Sequence, residues 1–382
     1  MSVLLFWAAF VFLFYTFIGY PISLYLIDRY HDKKTSGNIQ GDVLETDYRP
    51  DVEVILIVRN VEQIIQKKIQ SLLSLNYPKD KLSILIVSDQ SEDNTVNLIE
   101  NLKNPRIRCI DNKHKSSKSA CLNQAIEQSS AEILLMTDAR QTHEPESLNY
   151  LVRHFTNPEI GAVSGELVLL DPETNQFAQG MDAYWRYEKF IRNLESKISS
   201  VPGVTGAIYA MRRADYQNIP DQTLLDDVLI PMKMIMAGKK VLFENKAIAY
   251  DIPSDDAARE KIRKTRTLAG NWQLIEFQPQ LLNPLKNKIW WQFVSHKMLR
   301  LLAPFYLLTI FFMSLYASDN SYYKLAFVLQ LLGYTIIGLA YFSPVVRKLP
   351  LVSMAQSFMT LMWFTTLGFW SFITRQHLTI WK

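Results

Sequence analysis

The chain has 382 residues, of which 48% are hydrophobic, and a formal net charge of +4 at pH 7. It is long enough for more than one domain, and so modest a charge, part of it flanking apolar segments, excludes a nucleic-acid partner as the reading of its composition. The only cysteines, Cys109 and Cys121, exclude a disulfide framework and read as reduced, partly buried thiols.

Residues 3–27 contain no charge, and a helix of that length exceeds the roughly 20 residues needed to cross a hydrocarbon core of about 30 Å. Residues 1–28 therefore read as a membrane span. A cleaved secretion signal is the rival, but no basic residue precedes the run, and the run is longer than such a segment. The basic stretch Asp28-Arg29-Tyr30-His31-Asp32-Lys33-Lys34 follows, and residues 35–41 read as a short polar linker.

Between residues 48 and 252, short apolar runs alternate with longer segments of helical period, the pattern of a parallel sheet wrapped by helices. The runs are 52–58, 82–87, 106–110 and 132–136. Their continuous rather than alternating apolarity fits strands buried on both faces. Helices are predicted over 61–75, ended by Asn76-Tyr77-Pro78, and over 93–102, with Ser91 or Asp93 as cap. In such a sheet the ligand crevice lies beyond the carboxyl ends of the strands, where Arg59-Asn60, Ser88-Asp89 and Thr137-Asp138-Ala139-Arg140 converge. An aspartate there, such as Asp89, can accept hydrogen bonds from a base or ribose, or merely cap the next helix.

Residues 276–300 read as an amphipathic interfacial segment, with Trp290-Trp291 at headgroup level and His296-Lys297 beside them. Three further uncharged stretches follow at 301–317, 325–346 and 349–374, the last two separated by Arg347-Lys348. Basic residues flank spans on the cytoplasmic side. Four spans then put the central region in the cytoplasm and both termini outside, although the basic tail ending in Lys382 argues weakly the other way. A bacterial inner membrane suits such a chain.

Six stretches occur in order: "VEVILIVRNVEQIIQKKIQSLLSLNYPKDKLSILIVSDQSEDNT", "KSACLNQA", "EILLMTDAR", "VTGAIYAMRR", "LDDVLIPMKMIMAGKKVLFENKAIAY" and "RKTRTLAGNWQLI". In order and spacing they resemble the family 2 glycosyltransferases of GT-A fold, in the membrane-embedded branch that includes synthases of polysaccharides and glycolipids. The resemblance implies an α/β catalytic domain over 48–275, placed between one N-terminal membrane helix and three C-terminal ones in 301–374. It implies inverting transfer of a sugar from a nucleotide-diphosphate donor, a uridine one first of all, to a hydroxyl of a lipid-linked or saccharide acceptor at the cytoplasmic face.

The same resemblance assigns residues. Asn60, Glu62 and Asp89 stand where the family reads base and ribose, and Lys118 would approach the nucleotide. Asp138 matches the first carboxylate of an Asp-x-Asp motif that holds Mg2+ or Mn2+ on the phosphates. Arg140 stands in place of the second, which leaves an ion held by one carboxylate with phosphates and water, or an arginine partly replacing its charge. Arg263 and Arg266 align with the element that contacts the diphosphate, Arg266 the better placed for bidentate binding; an amphipathic helix on anionic lipid is the other reading of that stretch. Asp227 occupies the position of the base that takes the acceptor proton, with Asp226 as its neighbour. Gly206 and Ala207 would form the acceptor floor and Trp272 an aromatic surface beside it, while Thr267 replaces the tryptophan of processive synthases. A processive synthase and a catalytically silent nucleotide-sugar sensor or scaffold are the alternatives.

Overall fold

The computed structural model describes residues 1–34, 48–113, 117–170, 182–252 and 257–376. The linker read at 35–41 and the tail ending in Lys382 lie outside the described residues. The chain opens with α1 (Ser2–Phe14), a π-helical turn (Tyr15–Gly19) and α2 (Tyr20–Lys34). Then come β1 (Val52–Val58), α3 (Ile65–Leu73), β2 (Leu82–Asp89), α4 (Thr95–Glu100), β3 (Ile107–Asn112), α5 (Lys118–Gln128) and β4 (Ile133–Met136). The second half of the domain comprises β5 (Thr142–His143), α6 (Ser147–Val152), β6 (Ile160–Leu169), α7 (Asp182–Ile198), β7 (Tyr209–Arg212), α8 (Asp226–Met236), β8 (Lys240–Asp251) and α9 (Ala257–Phe277).

These strands form one 8-stranded sheet of order β3-β2-β1-β4-β7-β6-β8-β5. The first four are parallel, and β7 turns the sheet antiparallel against both β4 and β6. The chain thus winds outward from β1 to β3 and then returns to lay β4 on the other side of β1. A crevice must open at that reversal, because the connections leave β1 and β4 in opposite directions.

Both faces of the sheet are buried, as the continuous apolar runs require. Ile55, Leu85, Leu134 and Met136 pack with Leu122 and Ala125 of α5 and with α8. Val54, Leu56, Ile84 and Leu135 pack on the opposite face with Ile65, Ile69 and Leu72 of α3 and with Leu148 and Leu151 of α6. The one charge inside β1, Glu53, is buried but bonded by Arg108 at 2.9 Å. Cys121 belongs to the core, Cys109 is half-buried, and both are free thiols.

Two helices start later than predicted, for one shared reason. The amides of Val61 and Glu62 donate to Thr95 Oγ1 (2.9 Å) and Asp93 Oδ2 (3.0 Å), and Asp93 Oδ1 accepts from Thr95 N (3.0 Å). The loops after β1 and β2 are tied to each other, so neither α3 nor α4 can reach back to its first candidate residue.

Among the described residues, three helices are long and apolar enough to cross a membrane: Ser2–Tyr30, Trp290–Tyr316 and Ser321–Phe342. Much of their surface is exposed apolar side chain, such as Leu4, Trp7, Leu332 and Phe342, as lipid contact requires. Residues 290–300 do not form a separate interfacial segment. The short α10 (Trp290–Gln292) and a π-helical turn (Phe293–Met298) run straight into α11 (Leu299–Tyr316). After α12 (Ser321–Phe342) and α13 (Pro344–Arg347), α14 (Pro350–Ile373) is uncharged but rich in Ser and Thr. It falls outside the three and packs on α9, where a Cβ on Gly368 would stand 2.7 Å from Leu268 Cβ.

Candidate active site

A cleft opens at the reversal between β1 and β4. Ile55, Ile57, Met136, Thr137 and Asp138 line it from the strands, Lys118 and Leu122 from α5, and Gly206, Tyr209 and Asp226 from the far side. Lys118 is the first residue of α5, whose cap is the Ser117 hydroxyl accepting from Ala120 N at 3.1 Å. That cap fixes where the lysine emerges, and its Nζ lies 3.0 Å from Asp138 Oδ1 and 3.2 Å from Asp226 Oδ2. Burial works against the Lys118 charge, but Asp138 and Asp226 outweigh it and hold its pKa well above the usual lysine range.

Asp226 and Asp227 open α8, where the helix dipole favours negative charge. Asp227 is nevertheless pushed up to about 6, first by burial and then by Asp226, with Lys118 and Lys297 pulling the other way. Gly206 sits between the carboxylates. A Cβ there would be 3.3 Å from Asp138 Oδ2 and 3.8 Å from Asp227 Oδ2, so its missing side chain leaves the two oxygens facing one small space.

Three expected residues therefore meet: Lys118, Asp138 and Asp226, with Asp227 and Gly206 completing the rim. Others do not join them. Asn60 Oδ1 accepts from Glu92 N (2.8 Å), and Glu62 Oε2 accepts from Asn94 N (3.0 Å), so both hold the neighbouring loop in shape. Asn60 does this with φ +52°, a left-handed backbone that asparagine tolerates. Asp89 ends β2 beside Asn112 and is buried. Ala207 is buried, and its carbonyl accepts from Thr137 Oγ1 at 2.8 Å. Trp272 packs on Phe369 of α14 at 5.1 Å between ring centroids, so it offers no ring to the cleft. Arg263 is bonded by Glu260 on its own helix at 2.8 Å, and Arg266 lies half-buried one turn on.

Arg140 turns away from Asp138 and pairs with Asp251 Oδ2 at 3.2 Å, where Gln141 Nε2 also donates at 2.8 Å. Its charge is neutralised there rather than delivered to the cleft. His143 is buried, with Nε2 3.1 Å from Thr137 Oγ1. Lys68 reaches the same Thr137 at 2.8 Å, its pKa lowered by burial to about 7. Among the described residues no group of three His, Cys, Asp or Glu side chains could hold a metal ion. Asp138, with one oxygen facing the open space, fits an ion only if a ligand's oxygens complete the shell.

The helix α7 serves as an anchor. Tyr187 Oη donates to Phe17 O at 2.8 Å, and Glu188 binds His296 Nε2 at 3.0 Å and Arg300. Glu195 meets His296 Nδ1 at 2.8 Å and accepts from Tyr20 Oη at 2.5 Å. This buried network joins α7 to the first two apolar helices. Sequence reasoning missed it, although Glu188, Arg192 and Glu195 share one face of a helix by spacing alone.

Residues 53–219 match the model described as Glycosyl transferase family 2. The chain is 26% identical over 261 residues to "Probable glycosyltransferase YdaM" of Bacillus subtilis, covering 63% of this chain and 60% of that protein. It is 26% identical over 214 residues to "Beta-monoglucosyldiacylglycerol synthase" of Synechocystis sp., covering 53% and 44%. The aligned part thus spans about half the length of the curated relatives it matches. The fold is shared with the mannosyltransferase PcManGT from Pyrobaculum calidifontis, solved with GDP-Man and Mn2+, at a TM-score of 0.71 and 20% identity over 97% of this chain and 99% of that one.

Proposed function

Residues 53–219 are a family 2 glycosyltransferase domain of GT-A fold, and from that premise we propose that the chain moves a sugar from a nucleoside-diphosphate donor to a lipid-linked or saccharide hydroxyl, with inversion and with Asp227 as the base. The observation that carries this reading is Asp227 itself. It faces Asp138 across Gly206, and its pKa of about 6 suits a group that must take a proton near neutrality.

In the proposed step the acceptor oxygen attacks the anomeric carbon from the Asp227 side. The bond from that carbon to the diphosphate oxygen breaks, its electron pair leaves with the diphosphate, and the acceptor proton passes to the Asp227 carboxylate. Lys118 holds the carboxylates of Asp138 and Asp226 in place through its contacts at 3.0 and 3.2 Å. Asp138 would hold a Mg2+ or Mn2+ ion that supplies countercharge to the departing diphosphate. The donor meets the chain where β1, β2 and β4 end, at Asp89 and Asp138, and the neighbouring loops are held ready by Asn60 and Glu62. Arg266 is proposed to approach the diphosphate when the donor is bound.

The test is release of nucleoside diphosphate by the detergent-purified chain over a panel of uridine and guanosine diphosphate sugars, with Mn2+, Mg2+ or chelator, beside an Asp227→Asn variant. One sugar should turn over, and the variant should lose about 10²-fold or more of that rate, the scale of general base catalysis. Nucleotide-sugar binding without turnover in any lane would favour a sensor and sink the transferase reading.

A further inference from the structure

The inward face of α3 carries Ile65, Ile69 and Leu72 and, among them, Lys68, which is 1% exposed. A lysine at a core position is costly unless its head is hydrogen-bonded, and an aliphatic residue would pack there without that cost. Lys68 Nζ spans a turn: it donates to Thr137 Oγ1 at 2.8 Å and to the Gln141 carbonyl at 2.8 Å. Those two residues flank Asp138-Ala139-Arg140, so one nitrogen ties both ends of the loop that carries Asp138. Lys68 itself stands behind the cleft rather than in its lining.

Thr137 carries the tie further. Its Oγ1 donates to the Ala207 carbonyl at 2.8 Å, and Ala207 follows Gly206, where a Cβ would stand 3.3 Å from Asp138 Oδ2. A single line of hydrogen bonds thus runs from α3 through the Asp138 loop to the far wall of the proposed reaction space. Arg140 and Gln141 Nε2 both meet Asp251 Oδ2, at 3.2 and 2.8 Å. Asp251 therefore fixes the turn at residues 140–141, whereas Lys68 closes it. An ammonium has three N–H groups and an amine two, so both bonds of Lys68 hold in either protonation state.

Resting on the reading of Asp138 as the residue that would hold a divalent ion on the donor's diphosphate, we propose that Lys68 is the positioning residue for that carboxylate. It acts through Thr137 and the Gln141 carbonyl, and it sets the separation of Asp138 from the Gly206 wall. Groups that orient a metal's ligand in this way change metal affinity by about 10–100-fold when they are removed. The sign of the effect separates geometry from charge. The Lys68 charge lies within electrostatic reach of Asp138, and removing a cation from near a carboxylate would by itself strengthen that carboxylate's hold on another cation. Weaker ion binding without Lys68 is therefore the signature of a displaced carboxylate.

The test uses the full chain in detergent and titrates uridine and guanosine diphosphate, with Mn2+ or with chelator, by tryptophan fluorescence. Hydrogen exchange of the backbone amides of residues 138–142 is followed in parallel by mass spectrometry. Lys68→Met should lose at least about tenfold of the Mn2+-dependent affinity, keep the affinity measured in chelator, and exchange faster over 138–142. Thr137→Val, which removes the accepting hydroxyl, should weaken Mn2+-dependent binding in the same direction, while Thr137→Ser should behave as wild type. The double change Lys68→Met/Thr137→Val should lose less than the two single losses combined, because both break one line of bonds. Mn2+-dependent affinity in Lys68→Met equal to wild type, or tighter, would overturn the proposal. Equal losses with Mn2+ and with chelator would overturn it too, since they would make the lysine merely structural. Should Lys68→Met fail to fold, the Thr137 pair decides on the same readouts, and Thr137→Val indistinguishable from Thr137→Ser would overturn it. Nucleotide binding by wild type that is indifferent to Mn2+ would also overturn it, leaving the transferase reading standing. Wild type that binds no nucleoside diphosphate in either lane would instead sink the transferase reading. Amide exchange then decides the positioning by itself, and equal exchange in wild type and Lys68→Met would overturn it.

Discussion

Arg140 is bound to Asp251 at 3.2 Å and not to Asp138. The residue that departs from the Asp-x-Asp pattern is therefore used to neutralise a buried carboxylate at the end of β8. Replacing Arg140 by alanine should lower the melting temperature while leaving the cleft intact. Because Arg140 is half exposed, the loss should be modest, about 0.5–1 kcal/mol. Combining it with Asp251→Asn should cost less than the sum of the two single changes, which a double-mutant cycle of thermal melts would read. Additive losses would mean that the pair contributes nothing.

Lys118 is the hinge of the site's charges. Lys118→Met leaves Asp138 and Asp226 without their cation, and removes one of the two charges that pull the Asp227 pKa down. Turnover should fall by about 10²-fold, and the acid limb of the pH–rate profile should move to higher pH. Lys118→Arg should recover part of the rate and return the limb toward its original position. An unchanged profile in the methionine variant would show that the lysine acts only in packing.

How much of this was legible beforehand follows from where each signal resides. The strands β1, β2 and β4 were readable because burial on both faces writes itself as unbroken apolar runs, whereas β3 is an edge strand with Arg108 and Asp111 exposed. The polar residues after them pointed to the crevice because the reversal between β1 and β4 is a property of the sheet's winding. Lys118, Asp138 and Asp226 could be named singly, but that one ammonium bridges both carboxylates depends on the cap at Ser117. Lys68, Lys297 and Asp251 were invisible as site residues, because each is brought in by packing between segments far apart in sequence. Trp272 misled for the same reason, since nothing local says that α14 will cover it.

Gly206 separates the two carboxylates that face the proposed reaction space. Gly206→Ala should fold, as the new methyl meets side-chain oxygens rather than backbone, the nearest at 3.3 Å. It should nevertheless cut kcat by about 10-fold or more, since misplacement by an ångström is enough for such losses. Unaltered kcat, measured with the donor that wild type uses, would move the acceptor elsewhere.

Asp227 makes a prediction for stability as well as for rate. Its folded pKa of about 6 exceeds the ordinary aspartate value of 3.8, so between those values the folded chain binds the proton more tightly than the unfolded one. Stability then falls as pH rises from about 4 to 6, and above that range the whole penalty is present. For a shift of this size the penalty is on the order of 2 kcal/mol. Asp227→Asn cannot ionise and should melt higher than wild type at pH 8, with the difference shrinking toward pH 4. The rate has the opposite dependence, since only the ionised carboxylate accepts a proton. kcat/KM should drop about tenfold per pH unit below 6 in wild type. Finding the variant no more stable at pH 8 than at pH 4, relative to wild type, would show that Asp227 is not held against its own charge. The inactive variant would then owe its defect to lost geometry rather than to a lost base.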